Sequence, residues 1–181
     1  PVFDADAYVH GLYEGAAVPL IERAFPSTTY EGRVDRALLA REVAGRPERL
    51  KALEAIVHPL VTQAEIDFLC EQEASGAAMA VLEIPLLFET GAESRVDVTV
   101  TVSAPEDVQR QRVLERDGMS VQKFEALRAR QLGDADRRAR ADHVLDSGLT
   151  LENLHAQLDV LVESLKLKDG RVMERLRASR S

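Results

Sequence analysis

The chain has 181 residues, 45% of them apolar and 30% charged, which suits one soluble domain with a real core. The formal charge, 23 − 31 = −8, disfavours non-specific binding to nucleic acid or an anionic membrane, and 4% aromatics with no Trp leave little for base stacking. No apolar run approaches the ~20 residues of a membrane span and the start lacks signal-peptide regions, so a cytoplasmic protein is expected. The single cysteine, Cys70, excludes an intrachain disulfide and falls in the helical pattern Ile66, Leu69, Cys70, as a buried structural thiol would. Any anion site in so acidic a chain must be a local basic cluster.

In chain order, residues 1–4 read as the end of a strand, 5–13 and 16–25 as helices, and 26–29 as a loop. Asp35 is placed to cap a helix over 36–44 that Gly45 ends. Pro47 opens a long helix towards Glu73, and Pro59 inside it predicts a kink or break. Residues 79–84 and 96–102 are apolar, β-branched runs without alternation, as expected of strands buried on both faces of a parallel sheet. Ser103 to Glu106 reads as a capping box for a helix running to Asp117-Gly118. Ser120, Asp134 and Thr150 read as caps of later helices, with a short strand over 143–145. Recurrent β-α units argue for an α/β three-layer fold with a strand-free helical stretch over roughly 16–73. Residues 166–181, with Lys168, Arg171, Arg175, Arg177 and Arg180, read as a basic tail, solvated or partly disordered.

The residues that carry chemistry cluster at element ends. Asp4 and Asp6 follow a strand at its carboxyl edge, where α/β folds bind ligands, although Asp6 could instead cap the next helix. His10 lies one helical turn from Asp6 on the same face. Arg36 sits in a helix's first turn, poorly placed for the dipole, which favours a ligand role. Beside Pro59, the His58 imidazole can be aimed into a cleft, or simply lie satisfied on a kinked core helix. Ile84-Pro85-Leu86-Leu87-Phe88-Glu89 follows a strand end, offering Leu86, Leu87 and Phe88 as apolar walls and Glu89 as a polar anchor. Glu83 is an acid in an apolar strand, costly unless paired or solvated. Gln109, Arg112 and Arg116 recur at helical spacing. The arginines can clamp phosphates or lie as solvated surface charges.

Asp4-Ala5-Asp6, His58-Pro59, the Ile84–Glu89 run and Ala141-Asp142-His143-Val144-Leu145-Asp146-Ser147-Gly148 together resemble the dephospho-CoA kinase family, from Pro1 to about Leu165. The resemblance implies a P-loop kinase fold: a three-layer parallel sheet, a helical substrate subdomain over about 16–73 and a helical lid over about 119–141, in one domain spanning 1–165. It implies ATP-dependent phosphorylation of the ribose 3′-hydroxyl of dephospho-CoA, with Mg2+, by a monomer or small homo-oligomer. Asp6 would then be the general base, with Asp4 supporting it or approaching the magnesium shell. His10, Arg36, His58 and Leu86–Glu89 would bind dephospho-CoA. Arg112, Arg116 and the loop Asp146, Ser147, Gly148 would bind ATP, with Ser147 standing where the family usually has Asn. Arginines 128, 130, 137, 138 and 140 add charge across the lid, but their spacing around Gln131 differs from the family's. The family's first strand and Walker loop, Gly-x-x-x-x-Gly-Lys-Ser/Thr, do not occur in this sequence. Without that phosphate cradle the 181-residue chain is expected to be inactive, a truncated form or a fragment, because positioning and electrostatics supply nearly all of phosphoryl-transfer catalysis. Two other readings stay open: another nucleotide kinase of the same fold, or a non-catalytic fragment that binds a CoA-like ligand or a partner.

Overall fold

The computed structural model describes residues 1–129 and 131–178. They fall into two compact units, Pro1–Pro85 and Leu86–Ser181. Arg130 and Arg180 lie outside the described residues.

In the first unit, strand β1 (Val2–Asp4) leads directly into helix α1 (Ala5–Leu12). The turn is tight because Asp4 ends the strand and caps the helix, its Oδ1 accepting from the Ala7 amide at 2.8 Å. After α2 (Val18–Ala24) comes a hairpin of β2 (Thr29–Tyr30) and β3 (Arg33–Val34), then α3 (Arg36–Val43) and α4 (Pro47–Ala74). Asp35 caps α3, accepting from the Ala37 and Leu38 amides at 2.9 and 3.0 Å. Strand β4 (Val81–Glu83) closes the unit by pairing in parallel with β1, Phe3 opposite Leu82 and Asp4 opposite Glu83. The core is Leu12, Ala17, Ile21, Phe25, Val34, Leu39, Leu53 and Val57. Removing the apolar surface of these side chains from water is the main force holding α1–α4 and the hairpin together.

One expectation fails here, and of the kink or break expected at Pro59 the break is excluded. The stretch over 16–73 is not strand-free. Glu31 and Gly32 both have positive φ, 49° and 75°, as a type I′ turn requires, and they pair Thr29–Tyr30 with Arg33–Val34. Strands of two residues are too short to show alternation. Nor does Pro59 break the long helix, which runs through it to Ala74. Pro59 and Ala55, whose carbonyl loses its partner to the proline, are both exposed, so water can satisfy that oxygen. Meanwhile Leu53 and Val57 hold the same helix to the core.

The second unit starts with a 3₁₀ turn (Ala92–Arg95) and continues through β5 (Val100–Ser103), α5 (Glu106–Leu114), α6 (Val121–Arg128) and α7 (Asp134–Arg140). It then adds β6 (His143–Asp146), α8 (Leu151–Leu165) and α9 (Val172–Ala178). Strand β6 pairs in parallel with β5, from Val100 opposite His143 to Ser103 opposite Asp146. Apart from the antiparallel β2–β3 hairpin, the fold is thus α/β with parallel, helix-linked strands. The two apolar runs expected in one sheet form shorter strands in separate pairs, one in each unit.

Ser120 and Thr150 cap α6 and α8 as expected, accepting from Lys123 and Asn153 amides, each at 3.3 Å. Ser103 and Asp134 do not cap. Ser103 is the buried last residue of β5, and its hydroxyl donates to both oxygens of Asp134 at 2.9 Å. The two residues therefore tie α7 to the strand end, and α5 starts behind Pro105 with no side-chain cap. The tail is not a loose arm over 171–175. Asp97 accepts from the Arg171 and Val172 amides at 2.8 and 3.2 Å, and Arg175 reaches the Val96 carbonyl at 3.1 Å.

Thr99, just before β5, is joined to Asp142, just before β6. The Asp142 carboxylate accepts from the Thr99 amide and hydroxyl at 2.8 and 2.7 Å, and the Asp142 amide donates to that hydroxyl at 3.0 Å. These bonds, the Thr99 amide first, hold the Asp142 carboxyl below its ordinary value, with smaller help from His143 and Lys168. A depressed folded value means stability that is present above the ordinary carboxyl range and lost as pH falls through the folded value. Denaturant titration should therefore find Asp142→Ala less stable than the parent at neutral pH, with the gap narrowing below about pH 4. A gap that is constant with pH would exclude the carboxylate as its source.

Candidate active site

In the first unit the carboxyl ends of β1 and β4 set Asp4 and Glu83 side by side, both exposed. Glu83 is therefore solvated, not a buried charge. Because Asp4 performs the capping of α1, that role does not fall to Asp6. Asp6 is exposed in the helix's first turn, where the dipole favours its anion. Asp4 spends an oxygen on the helix, and among the described residues no group of three or more His, Cys, Asp or Glu side chains is placed to hold a metal.

His10, one turn after Asp6, lines a cavity of about 170 Å³ with Tyr13, Glu14, Arg33, Val34 and Arg36. A broader hollow of about 520 Å³, walled by Tyr30, Glu31, Arg33, Val34 and Asp35, shares two of those residues. The backbone explains the assembly. The Val34 amide donates to the Tyr13 carbonyl at 2.8 Å, and the Asp35 amide to the Thr28 carbonyl at 2.8 Å, so β3 is clamped against the end of α1. His10 and Arg36, named from sequence, thus meet in one cavity. His58 does not join them; it is exposed on α4 and is not part of either wall. Sequence reasoning missed Tyr13 and Arg33. Their signals were slight: Tyr13 stands three residues after His10, and Arg33 three before Arg36. Burial pushes the Tyr13 hydroxyl up, with the nearby Arg36 charge opposing it, so Tyr13 remains a hydrogen-bond donor.

In the second unit, Leu86 and Leu87 are half-buried and Leu86 takes a left-handed φ of 55°. Phe88 is not an open pocket wall. It is 6% exposed, with the Arg140 guanidinium 4.9 Å from its ring centroid. Glu89 is anchored within the chain, accepting from the Leu132 amide at 2.6 Å.

The loop 146–148 is built around Ser103. The Ser147 amide and hydroxyl donate to the Ser103 carbonyl at 2.8 and 3.1 Å. Arg112 donates to the Ser147 carbonyl at 2.8 Å and to its hydroxyl at 3.3 Å. Gln109 of the same helix donates to the Ala104 carbonyl at 2.6 Å. Asp146 Oδ1 accepts from the Gly148 amide at 2.7 Å. Gln157 on α8 mimics a strand edge, accepting from the Asp146 amide and donating to its carbonyl at 2.9 and 3.1 Å. Sequence gave no hint of Gln157. Arg112 therefore holds the loop, and the Ser147 hydroxyl, amide and carbonyl are all engaged within the chain. Arg116 lies exposed just past α5. Arg128, Arg137 and Arg140 are each paired with an acid, Glu106, Asp134 and Glu93 respectively.

A Cβ on Gly148 would lie 2.5 Å from Pro105 Cδ and 3.0 Å from Asp146 Oδ1. Gly148→Ala must push the loop off Pro105, and overpacking of this kind costs about 1–3 kcal/mol. Gly11→Ala, where nothing lies within 4 Å, should be neutral or slightly stabilising because it removes a helix-interior glycine. Denaturation midpoints of the two variants would check this contrast. Equal midpoints would contradict the packing at Pro105.

Among the described residues no helix is long and apolar enough to cross a membrane. A family model described as dephospho-CoA kinase matches residues 1–152. The chain is 49% identical over 164 residues to a dephospho-CoA kinase of Rhodopseudomonas palustris, covering 91% of this chain and 82% of that protein. It is 51% identical over 168 residues to one from Brucella melitensis, covering 93% and 84%. Among solved structures it is similar to TT1252 from Thermus thermophilus, with a TM-score of 0.78, 38% identity and coverage of 93% and 85%. The dephospho-CoA kinase of Campylobacter jejuni shares the fold, with a TM-score of 0.67 at 19% identity over 91% and 84%. With the strand–helix turn at Asp4 and two parallel strand pairs already in place, these matches make the chain a member of the dephospho-CoA kinase family.

Proposed function

We propose that this protein phosphorylates the ribose 3′-hydroxyl of dephospho-CoA at the expense of ATP, with Asp6 as general base. The observation that carries the base assignment is the division of labour at the first turn of α1. Asp4 takes the cap, and Asp6 keeps an exposed carboxylate. Asp6 would orient the hydroxyl and accept its proton. His10, Arg36 and His58, with the helical stretch over about 16–73, are assigned to dephospho-CoA, and so are Leu86, Leu87 and Glu89. The lid is assigned to about 119–141. On the ATP side, Arg116 is available for phosphate, and Arg112 positions Asp146, Ser147 and Gly148. Magnesium, when bound, neutralises charge on the phosphates and is held mainly by them, since Mg2+ commonly takes only one or two carboxylates from the protein. Asp4 is the nearest such acid in sequence, and no step is assigned to it.

The test of Asp6 is steady-state turnover in a form of the protein carrying a Walker loop ahead of Pro1. Asp6→Asn keeps shape but cannot take the proton, so kcat should fall by about a hundredfold or more with KM little changed. Near-normal turnover would refute the assignment. His58→Ala should weaken dephospho-CoA more than ATP when both are titrated calorimetrically. Equal losses, or none, would remove His58 from the acceptor site.

A further inference from the structure

We infer that Arg33 and Tyr13, with His10 and Arg36, form a receiving pocket for the diphosphate of the acceptor, and that Glu14 is its resident counterion. This rests on the reading that the first unit binds dephospho-CoA. Within a chain of net charge −8, this wall of six residues sets two arginines and a histidine against a single acid. Such a local excess works against the global field and marks the place where an anion can be held. Arg36 is fixed in the first turn of α3, directly after the Asp35 cap, and it lies close enough to Tyr13 to act on its hydroxyl. Arg33 stands on β3 behind the Glu31–Gly32 turn and borders both cavities. Its guanidinium meets Glu14 at 3.6 Å with both side chains largely exposed, so the pair is weak and readily exchanged. A phosphate oxygen offers Arg33 the same fork geometry with more charge than a carboxylate. Tyr13, whose hydroxyl burial pushes up, adds a neutral donor to the wall. Arg33 is thus a specificity residue for an acceptor that carries a diphosphate, against one that does not.

Calorimetric titrations of the protein with dephospho-CoA, with ATP and with inorganic pyrophosphate test this. Arg33→Ala should weaken dephospho-CoA about tenfold, because a charge-assisted contact is lost, and leave ATP unchanged. Tyr13→Phe should weaken it less, and Glu14→Gln should tighten it a few-fold by releasing Arg33. Thermal midpoints of Arg33→Ala and Glu14→Gln should match the parent, since both residues are surface-exposed. If Arg33→Ala binds dephospho-CoA as the parent does, the inference is overturned and the functional reading survives. If Glu14→Gln weakens binding as Arg33→Ala does, the ion pair is structural and the inference is again overturned. If the parent binds no dephospho-CoA, the functional reading fails, and pyrophosphate decides the pocket: loss of pyrophosphate binding in Arg33→Ala upholds it and retention refutes it.

Discussion

The hydrogen bond from the Val34 amide to the Tyr13 carbonyl, 2.8 Å long, joins the end of α1 to the hairpin that no pattern announced. Val34 is buried in the core shared with Leu12, Ile21 and Leu39, so the bond is shielded from water and its loss would leave two polar groups unsatisfied. The cavity at the end of α1 hangs on that junction. It brings His10 and Tyr13 of one element to Arg33 and Arg36 of two others. The Asp35 amide bond to the Thr28 carbonyl fixes the second edge of the same hairpin. Glu22 secures the approach, accepting from the Ser27 amide at 3.1 Å and the Thr29 hydroxyl at 2.6 Å.

In the second unit the corresponding hub is Ser103. Its carbonyl accepts from Ser147, and its hydroxyl donates to Asp134, so one residue at the end of β5 orders both the 146–148 loop and the start of α7. Arg112 and Gln157 then grip the loop from α5 and α8. Such a loop has little freedom left to lose on binding any partner. The arginines around it are divided by their counterions. Those paired with Glu106, Asp134 and Glu93 serve the architecture of the unit as described, whereas Arg116 is exposed beyond the last turn of α5.

Acidity and phosphate chemistry coexist here because charge is local. The chain carries a net charge of −8, yet the wall of the cavity at the end of α1 includes both Arg33 and Arg36, whose charges act at short range where screening is weakest. The Glu14–Arg33 pair shows the same economy: an exposed acid neutralises the arginine without holding it strongly.

Much of this was legible in the residues alone. Capping at Asp35, Ser120 and Thr150, the proline start of α4 and the motifs of the dephospho-CoA kinase family follow from local chemistry, because each depends on neighbours in sequence. Asp6 and His10 could be paired by helical spacing, and His10 with Arg36 only by family resemblance. What the sequence could not decide depended on contacts between distant residues. Ser103 looked like a cap because a Ser-x-x-Glu pattern is local, but its hydroxyl is claimed by Asp134, 31 residues away. Phe88 looked like a pocket wall, but Arg140 covers it. Pro59 looked like a break, yet tertiary packing of Leu53 and Val57 outweighs one missing hydrogen bond. Tyr13 and Arg33 came to line one cavity only when the Val34 amide met the Tyr13 carbonyl. The sequence by itself determined most of the helices, the family and the candidate base; the β2–β3 hairpin and which side chains share a cavity were decided by the tertiary structure, because long-range hydrogen bonds and burial select among partners that local pattern leaves equal.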